Sequence, residues 1–281
     1  MRLEAHAKIN LSLDIVGKRE DGYHLLSMVM QSVELHDIIE LLPLPEGIVL
    51  ECDKEYVPLD ERNIAYKAAR LIQETCGVKE GVKIRITKRI PVAAGLAGGS
   101  ADAAAVLKGM NTLFSLGRSE EELMALGLKI GADVPFCLRG GTCLCEGIGE
   151  KVTSLKPFND YIVLLVKPPF GVSTKDAYGS FDLSLIKKHV ETDKLMAAME
   201  SGDLKNMGYA MRNLLENVVL RKHPMLKNLK QTLLRYGAEV SLMSGSGPTV
   251  YGIFTDLQAA QNAAKALDKN GNEVILTRTM A

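Results

Sequence analysis

The sequence predicts an α+β protein of two domains, and three observations carry that prediction. Residues Ala5 to Ile15 alternate strictly, with Ala5, Ala7, Ile9, Leu11, Leu13 and Ile15 on one side and His6, Lys8, Asn10, Ser12 and Asp14 on the other. That is the period of a strand. Residues 82 to 114 read as a strand, a glycine-rich loop and an alanine-rich helix. From Tyr161 onward the pattern becomes β-α-β-β-α-β with extra helices in the first crossover, the order of a ferredoxin-like unit. Lys156-Pro157 reads as the boundary, which gives domains 1–157 and 158–281.

Each element has a local cause. The polar side of the first strand, with Lys8 and Asn10, reads as a solvated outer face, the usual meaning of such alternation. Lys18-Arg-Glu-Asp-Gly22 is turn chemistry, followed by a strand from Tyr23-His24 to Val33 and further strands at Ile38–Leu42 and Ile48–Cys52. Asn63 caps a helix over Ile64–Cys76, which Gly77 stops. Ser119 and Glu122 form a capping box for a helix ending at Gly131. Asp133 then lies between that helix end and Pro135, where the helix dipole disfavours negative charge, so it points to a purpose other than folding. Gly140–Gly149 is a glycine-bounded strand and turn. Beyond the boundary come strand Tyr161–Val166, several helices between Thr174 and Arg235, and strands Ala238–Met243 and Thr249–Phe254. Helix Leu257–Leu267 and strand Glu273–Thr277 close the order.

Composition excludes several functions. Across 281 residues, 34 basic and 34 acidic side chains cancel, so no net field favours nucleic acid or an anionic membrane. An anionic ligand must be met by a local site. The five cysteines show no CxxC spacing, which argues against a disulfide framework or a zinc site and for a reducing cytoplasm. The N-terminal residues show no apolar run of signal-peptide length, and none elsewhere approaches bilayer length.

The glycine-rich loop Pro91-Val-Ala-Ala-Gly-Leu-Ala-Gly-Gly-Ser-Ala101 is the element around which a function can be built. Gly95, Gly98 and Gly99 allow positive φ and close backbone approach, and Ser100 and Asp102 are good helix caps. The first free amides and the positive dipole end suit phosphate. Ala101, Ala103, Ala104 and Ala105 keep the first turn thin, so that a ligand can lie against it. Tight helix–strand packing is the competing reading of such a loop. It is not a Walker A sequence, because no Gly-Lys-Ser/Thr follows the glycines. A second glycine loop, Ser244-Gly-Ser-Gly247, separates two strands, and Lys167–Tyr178 is a proline-stiffened loop with Phe170 and Tyr178 exposed. Either aromatic could stack on a ring or simply anchor the loop.

A phosphate loop, a strand-borne lysine and an isolated aspartate suit phosphoryl transfer, which needs positioning and positive charge more than covalent help. Lys8 would stabilise phosphoryl oxygens and keep Asp133 ionised, and Asp133 would accept the proton of an attacking alcohol. No cluster has metal-ligand spacing, so a metal would arrive as Mg2+ with a nucleotide.

The loop resembles the phosphate loop of the GHMP kinases, the family of galactokinase, homoserine, mevalonate and phosphomevalonate kinases. Ala7-Lys-Ile-Asn-Leu11, Asp21-Gly-Tyr-His24, Gly131-Ala-Asp-Val-Pro-Phe136 and Ser244-Gly-Ser-Gly-Pro248 extend the likeness over nearly the whole chain. They narrow it to the branch whose small-molecule acceptor is cytidine diphosphate methylerythritol, an intermediate of non-mevalonate isoprenoid synthesis. The resemblance implies a two-domain fold: an N-terminal ATP-binding domain of the ribosomal protein S5 domain 2-like type, with a left-handed crossover, and a ferredoxin-like C-terminal substrate-binding domain. It implies ATP as donor, with Mg2+, and phosphorylation of the acceptor's 2-hydroxyl. By motif position, Lys8 and Asp133 are the catalytic pair. Pro91, Val92, Ala93, Ala94, Gly95, Leu96, Ala97, Gly98, Gly99, Ser100 and Ala101 hold the nucleotide. Asn10, Tyr23, His24 and Tyr178 meet the acceptor, the last three at its cytosine. Ser100 is the loop's candidate magnesium ligand. The protein is expected to act in the cytoplasm as a monomer or weak homodimer, without nucleic acid or membrane.

Overall fold

The computed structural model describes every residue except Asp21, so the first residue of the Asp21–His24 motif lies outside the described residues. The chain forms two compact units. One comprises Met1–Lys8, Leu35–Ile90 and Ala97–Gly140; the other comprises Ile9–Glu34, Pro91–Leu96 and Gly141–Ala281.

The alternating run does not form one strand. It makes β1 (Arg2–Asn10) and β2 (Asp14–Lys18). Between them Leu11 and Ser12 both donate backbone N–H to the Val29 carbonyl, and the Ser12 hydroxyl accepts from the Val29 N–H. Two residues opposite one is the geometry of a bulge, and it breaks the ladder. Nor is the polar face solvated. Lys8, Asn10, Ser12 and Asp14 are buried, as are the apolar residues between them. Period 2 reports which residues share a face, but whether that face meets water depends on what packs over it.

The two strands expected at 23–33 and 38–42 are one, β3 (His24–Leu44). Its C-terminal part pairs antiparallel with β5 (Gly81–Thr87), and β5 pairs in parallel with β4 (Ile48–Cys52). Between β4 and β5 runs α1 (Ile64–Cys76). The Asn63 side chain accepts from the Ala65 N–H at 2.9 Å, and Gly77 ends the helix in the left-handed region at φ 68°. Its Ala65, Ala68, Ala69 and Ile72 are buried, and it packs on α2 (Gly98–Leu113). The capping box is present at α3 (Glu120–Leu128), and a further short helix, α4 (Val134–Arg139), follows.

In the other unit, the N-terminal part of β3 pairs with β2 and with β6 (Thr142–Gly147), which is flanked by β7 (Lys151–Ser154). A four-stranded antiparallel sheet is built from β8 (Ile162–Lys167), β9 (Val240–Met243), β10 (Val250–Phe254) and β11 (Glu273–Arg278) in the order β11-β8-β10-β9. That is the ferredoxin-like order expected from the sequence. Helices α5 (Thr174–Gly179), α6 (Thr192–Ser201), α7 (Leu204–Ala210), α8 (Glu216–Lys222) and α9 (Met225–Arg235) fill the first crossover. The second is α10 (Leu257–Leu267), capped by Asp256. Among the described residues, no helix is long and apolar enough to cross a membrane.

Candidate active site

Lys8 lies near the end of β1, and its ammonium is 3.7 Å from Asp133 Oδ2. The lysine side chain is almost wholly buried, whereas a third of the aspartate side chain reaches solvent. Asp133 sits immediately before α4, with Pro135 in the first turn. The chain had placed it at the unfavourable end of the preceding helix; the structure starts a new helix there, so that electrostatic penalty is absent. Its side chain makes no capping hydrogen bond, which leaves the carboxylate facing Lys8 rather than committed to its own backbone. One turn on, burial and then the Asp133 charge push the Cys137 thiol well up, so it stays neutral and is no nucleophile.

The glycine loop is built differently from the expectation. Positive φ falls at Ala93 (52°), Gly95 (75°) and Ala97 (57°), not at Gly98 or Gly99, which open α2. Ser100 lies in the first turn and Asp102 just beyond it, and neither caps the helix; Ala97 occupies the cap position without a side-chain bond. Gly98 and Gly99 serve close packing, the competing reading of the loop. A Cβ at Gly98 would lie 3.0 Å from both Lys88 Nζ and Ile90 Cγ2, and one at Gly99 would lie 3.3 Å from Ile64 Cδ1. Ala101, Ala103, Ala104 and Ala105 are buried in the protein rather than held open for a ligand. What remains for an anion is the uncapped N-terminus of this sixteen-residue helix, with its first-turn amides and dipole. Upstream, the Ser244 hydroxyl donates to the Gly95 carbonyl at 2.9 Å, and a Cβ at Gly95 would stand 2.2 Å from the backbone carbonyl oxygen of Ser244. The second glycine loop therefore sets the position of the first. Asn213 in turn holds that second loop by donating to the carbonyls of Met243 and Gly245 at 2.8 and 2.7 Å.

Sequence reasoning missed a buried charge cluster behind α2. Lys88 donates to Asp102 at 2.8 Å and to Asp37, and all three side chains are almost entirely buried. Asp37 also accepts the backbone N–H groups of Arg89 and Ile90. Burial alone would lower the Lys88 pKa, but Asp102 and Asp37 outweigh it and the ammonium is held. Burial raises Asp102 to about 8, opposed by Lys88 and reinforced by Asp37. The only sequence signal was an aspartate just before a predicted strand and a lysine just before the loop.

The residues expected at the cytosine are partly gathered. His24, the first residue of β3, and Tyr178, in α5, have ring centroids 5.4 Å apart at 33°, with Phe181 edge-on to His24 at 6.3 Å. Tyr178 is thus on a short helix rather than on an exposed loop, and Phe170 stacks on His223. Tyr23 is 63% exposed. Burial, then Lys18, lowers the His24 pKa, so its imidazole is neutral near pH 7 and offers one donor and one acceptor. Asn10 is buried; its side-chain amide donates to Met28 Sδ at 3.6 Å, and its backbone carbonyl accepts the Tyr251 hydroxyl at 2.7 Å.

A basic residue paired with a carboxylate beside an uncapped glycine-rich helix start is the equipment of a phosphotransferase. The chain belongs to the GHMP kinases: the N-terminal domain model of that family matches residues 63–141 and its C-terminal model residues 195–273. Proteins named 4-diphosphocytidyl-2-C-methyl-D-erythritol kinase from Clostridium botulinum and Clostridium beijerinckii are each 54% identical to it over the full length of both chains. A crystal structure of 4-(cytidine 5'-diphospho)-2C-methyl-D-erythritol kinase superposes with a TM-score of 0.85 at 32% identity, covering all of each chain. Homoserine kinase from Cytophaga hutchinsonii shares the fold, with a TM-score of 0.78 at 22% identity over 99% of this chain and 94% of that one.

Proposed function

We propose that this protein transfers a phosphoryl group from ATP to the 2-hydroxyl of 4-diphosphocytidyl-2-C-methyl-D-erythritol. The observation that carries the reading is the Lys8–Asp133 pair, held together in a chain whose full-length relatives bear the name of that reaction. Asp133 accepts the proton of the attacking hydroxyl as the bond to phosphorus forms. Lys8 offsets the charge on the transferred oxygens and keeps Asp133 ionised. The Pro91–Ala101 loop and the α2 amides hold the ATP phosphates. Mg2+ bound with the nucleotide neutralises phosphate charge. Ser100, in the first turn of α2, is the hydroxyl assigned to it, because the nearby Asp102 is already engaged by Lys88. Asn10 positions the acceptor, and Tyr23, His24 and Tyr178 meet its cytosine; the His24–Tyr178 ring pair supports this part. Functionally, residues 1–157 form the ATP-binding domain and 158–281 the substrate domain. The enzyme acts as a monomer or weak homodimer in the cytoplasm, where a reducing environment suits its five free cysteines.

The test is ATP turnover with the cytidyl acceptor, with mevalonate and with homoserine. Turnover dependent on the cytidyl acceptor alone is expected. Lys8→Met and Asp133→Asn should each slow it by about a thousandfold, or about 4 kcal/mol of transition-state stabilisation. The double variant should be little slower than either, because the two act as a unit. Equal turnover of homoserine or mevalonate would overturn the acceptor assignment, and strictly multiplicative losses would overturn the paired roles.

A further inference from the structure

We propose that Glu4, His6 and His36 form a binding site for one divalent transition-metal ion of the zinc class. Glu4 and His6 are two apart on β1 and so project from the same face, opposite the buried Ala5 and Ala7. Met1 and Leu41 exchange backbone hydrogen bonds in both directions, which sets an antiparallel register between β1 and β3. Continued along the strands, that register puts His6 opposite His36. The two imidazole centroids are 5.1 Å apart and tilted by 60°, an arrangement in which both rings turn a nitrogen toward the same carboxylate.

The separations are those of a loose cluster rather than of short hydrogen bonds. Glu4 Oε2 is 3.4 Å from His6 Nε2, and Glu4 Oε1 is 3.6 Å from His36 Nε2. Both exceed the normal span of about 2.7–3.2 Å for an N–H···O bond. The two nitrogens approach different oxygens of that carboxylate; a single oxygen shared by both would lie roughly 3.3–3.6 Å from each, the edge of a tetrahedron whose ligands are bound at about 2.0–2.2 Å. With one ligand atom taken from each residue, the three lie within 4.8 Å of one another, so small rotations of the exposed Glu4 close the site. Two imidazoles and one carboxylate are a borderline donor set suited to zinc, cobalt or nickel, whereas magnesium and calcium prefer all-oxygen sites. Three protein ligands leave a fourth position for water. The bound ion would clasp β1 to β3, two residues along the strand from Lys8 and on the same face. Sequence spacing could not show this, because Glu4 and His36 meet only through strand pairing.

The experiment uses the full-length protein after chelator treatment, titrated with Co2+ and followed by visible absorption. One equivalent should bind with tetrahedral d–d bands, without thiolate charge-transfer bands, and be displaced by Zn2+. Zn2+ should raise the melting temperature where Mg2+ at the same concentration does not. His36→Ala should weaken binding at least on the order of a hundredfold, since even losing an outer-shell partner costs about 10–100-fold. Its magnesium-supported ATP turnover should match the parent's. Glu4→Gln, at an exposed position, should also weaken binding and serves if His36→Ala does not fold. No stoichiometric uptake, uptake unchanged in the variants, or a thiolate band placing the metal on cysteine would each overturn the proposal.

Discussion

Replacing Lys88 with Met tests how much of this protein rests on one buried cation. In the parent, a single ammonium serves both Asp37 and Asp102, and none of the three side chains has appreciable contact with water. Methionine keeps the length and the apolar stem but leaves two carboxyl groups facing each other. Removing one partner of a buried ion pair typically costs about 3–5 kcal/mol, out of a total stability of about 5–15 kcal/mol. At about 2–4 °C per kcal/mol for a large domain, the melting temperature should fall by roughly 6–20 °C. The loss should also depend on pH, with a definite sign. Asp102 has a folded pKa of about 8 against an ordinary 3.8, so between those values the folded state holds the extra proton. Stability contributed by that proton is complete below the lower value and is lost as pH rises through the upper one. One proton limits the slope to about 1.4 kcal/mol per pH unit. Without Lys88 the carboxyl must keep its proton to still higher pH, so the deficit should be larger at pH 9 than at pH 6. Asp102→Asn should flatten the parent's decline over the same range. Thermal melts of the three proteins at both pH values decide it. A Lys88→Met protein melting within about 2 °C of the parent, or a deficit independent of pH, would refute the reasoning.

Gly95→Ala should destabilise the protein or detach the Ser244 loop, because its φ is +75° and the added Cβ would meet the Ser244 backbone carbonyl oxygen at 2.2 Å. Urea unfolding together with ATP affinity reads both effects, and an unchanged protein would deny the Gly95–Ser244 contact its role. At the proposed cytosine site, Tyr178→Ala should weaken cytidyl and uridyl analogues equally, by about 1–3 kcal/mol, since stacking tolerates either base. His24→Ala should instead lose the preference for the cytidyl analogue, which competition binding with both ligands would reveal. Because the His24 pKa is lowered, cytidyl binding should hold through neutral pH and weaken only below the ordinary histidine value of 6.5.

Elements with local causes were legible in the chain. Asn63 and Gly77 bound α1, Ser119 with Glu122 opens α3, and apolar spacing marks α10, since caps and periodicity act within a turn or two. The ferredoxin-like strand order was legible as well, because alternation and helix lengths leave few ways to close such a sheet. Lys8, Asp133 and the glycine loop stood out as residue types in motifs, and the roles proposed for them rest on the family resemblance of those motifs. Tertiary structure decided the rest. The sequence reading ends one strand at Val33 and begins the next at Ile38, yet β3 runs through Glu34 and Asp37, and Lys88 and two backbone amides satisfy Asp37 from elsewhere in the chain. α2 starts at Gly98 and packs on α1, and its Asp102 is turned inward to the same lysine. The 3.7 Å between Lys8 and Asp133, and the face shared by His24 and Tyr178, join residues more than a hundred positions apart. Burial, pairing and the pKa shifts they cause are properties of neighbours in space, and a single sequence orders neighbours only along the chain.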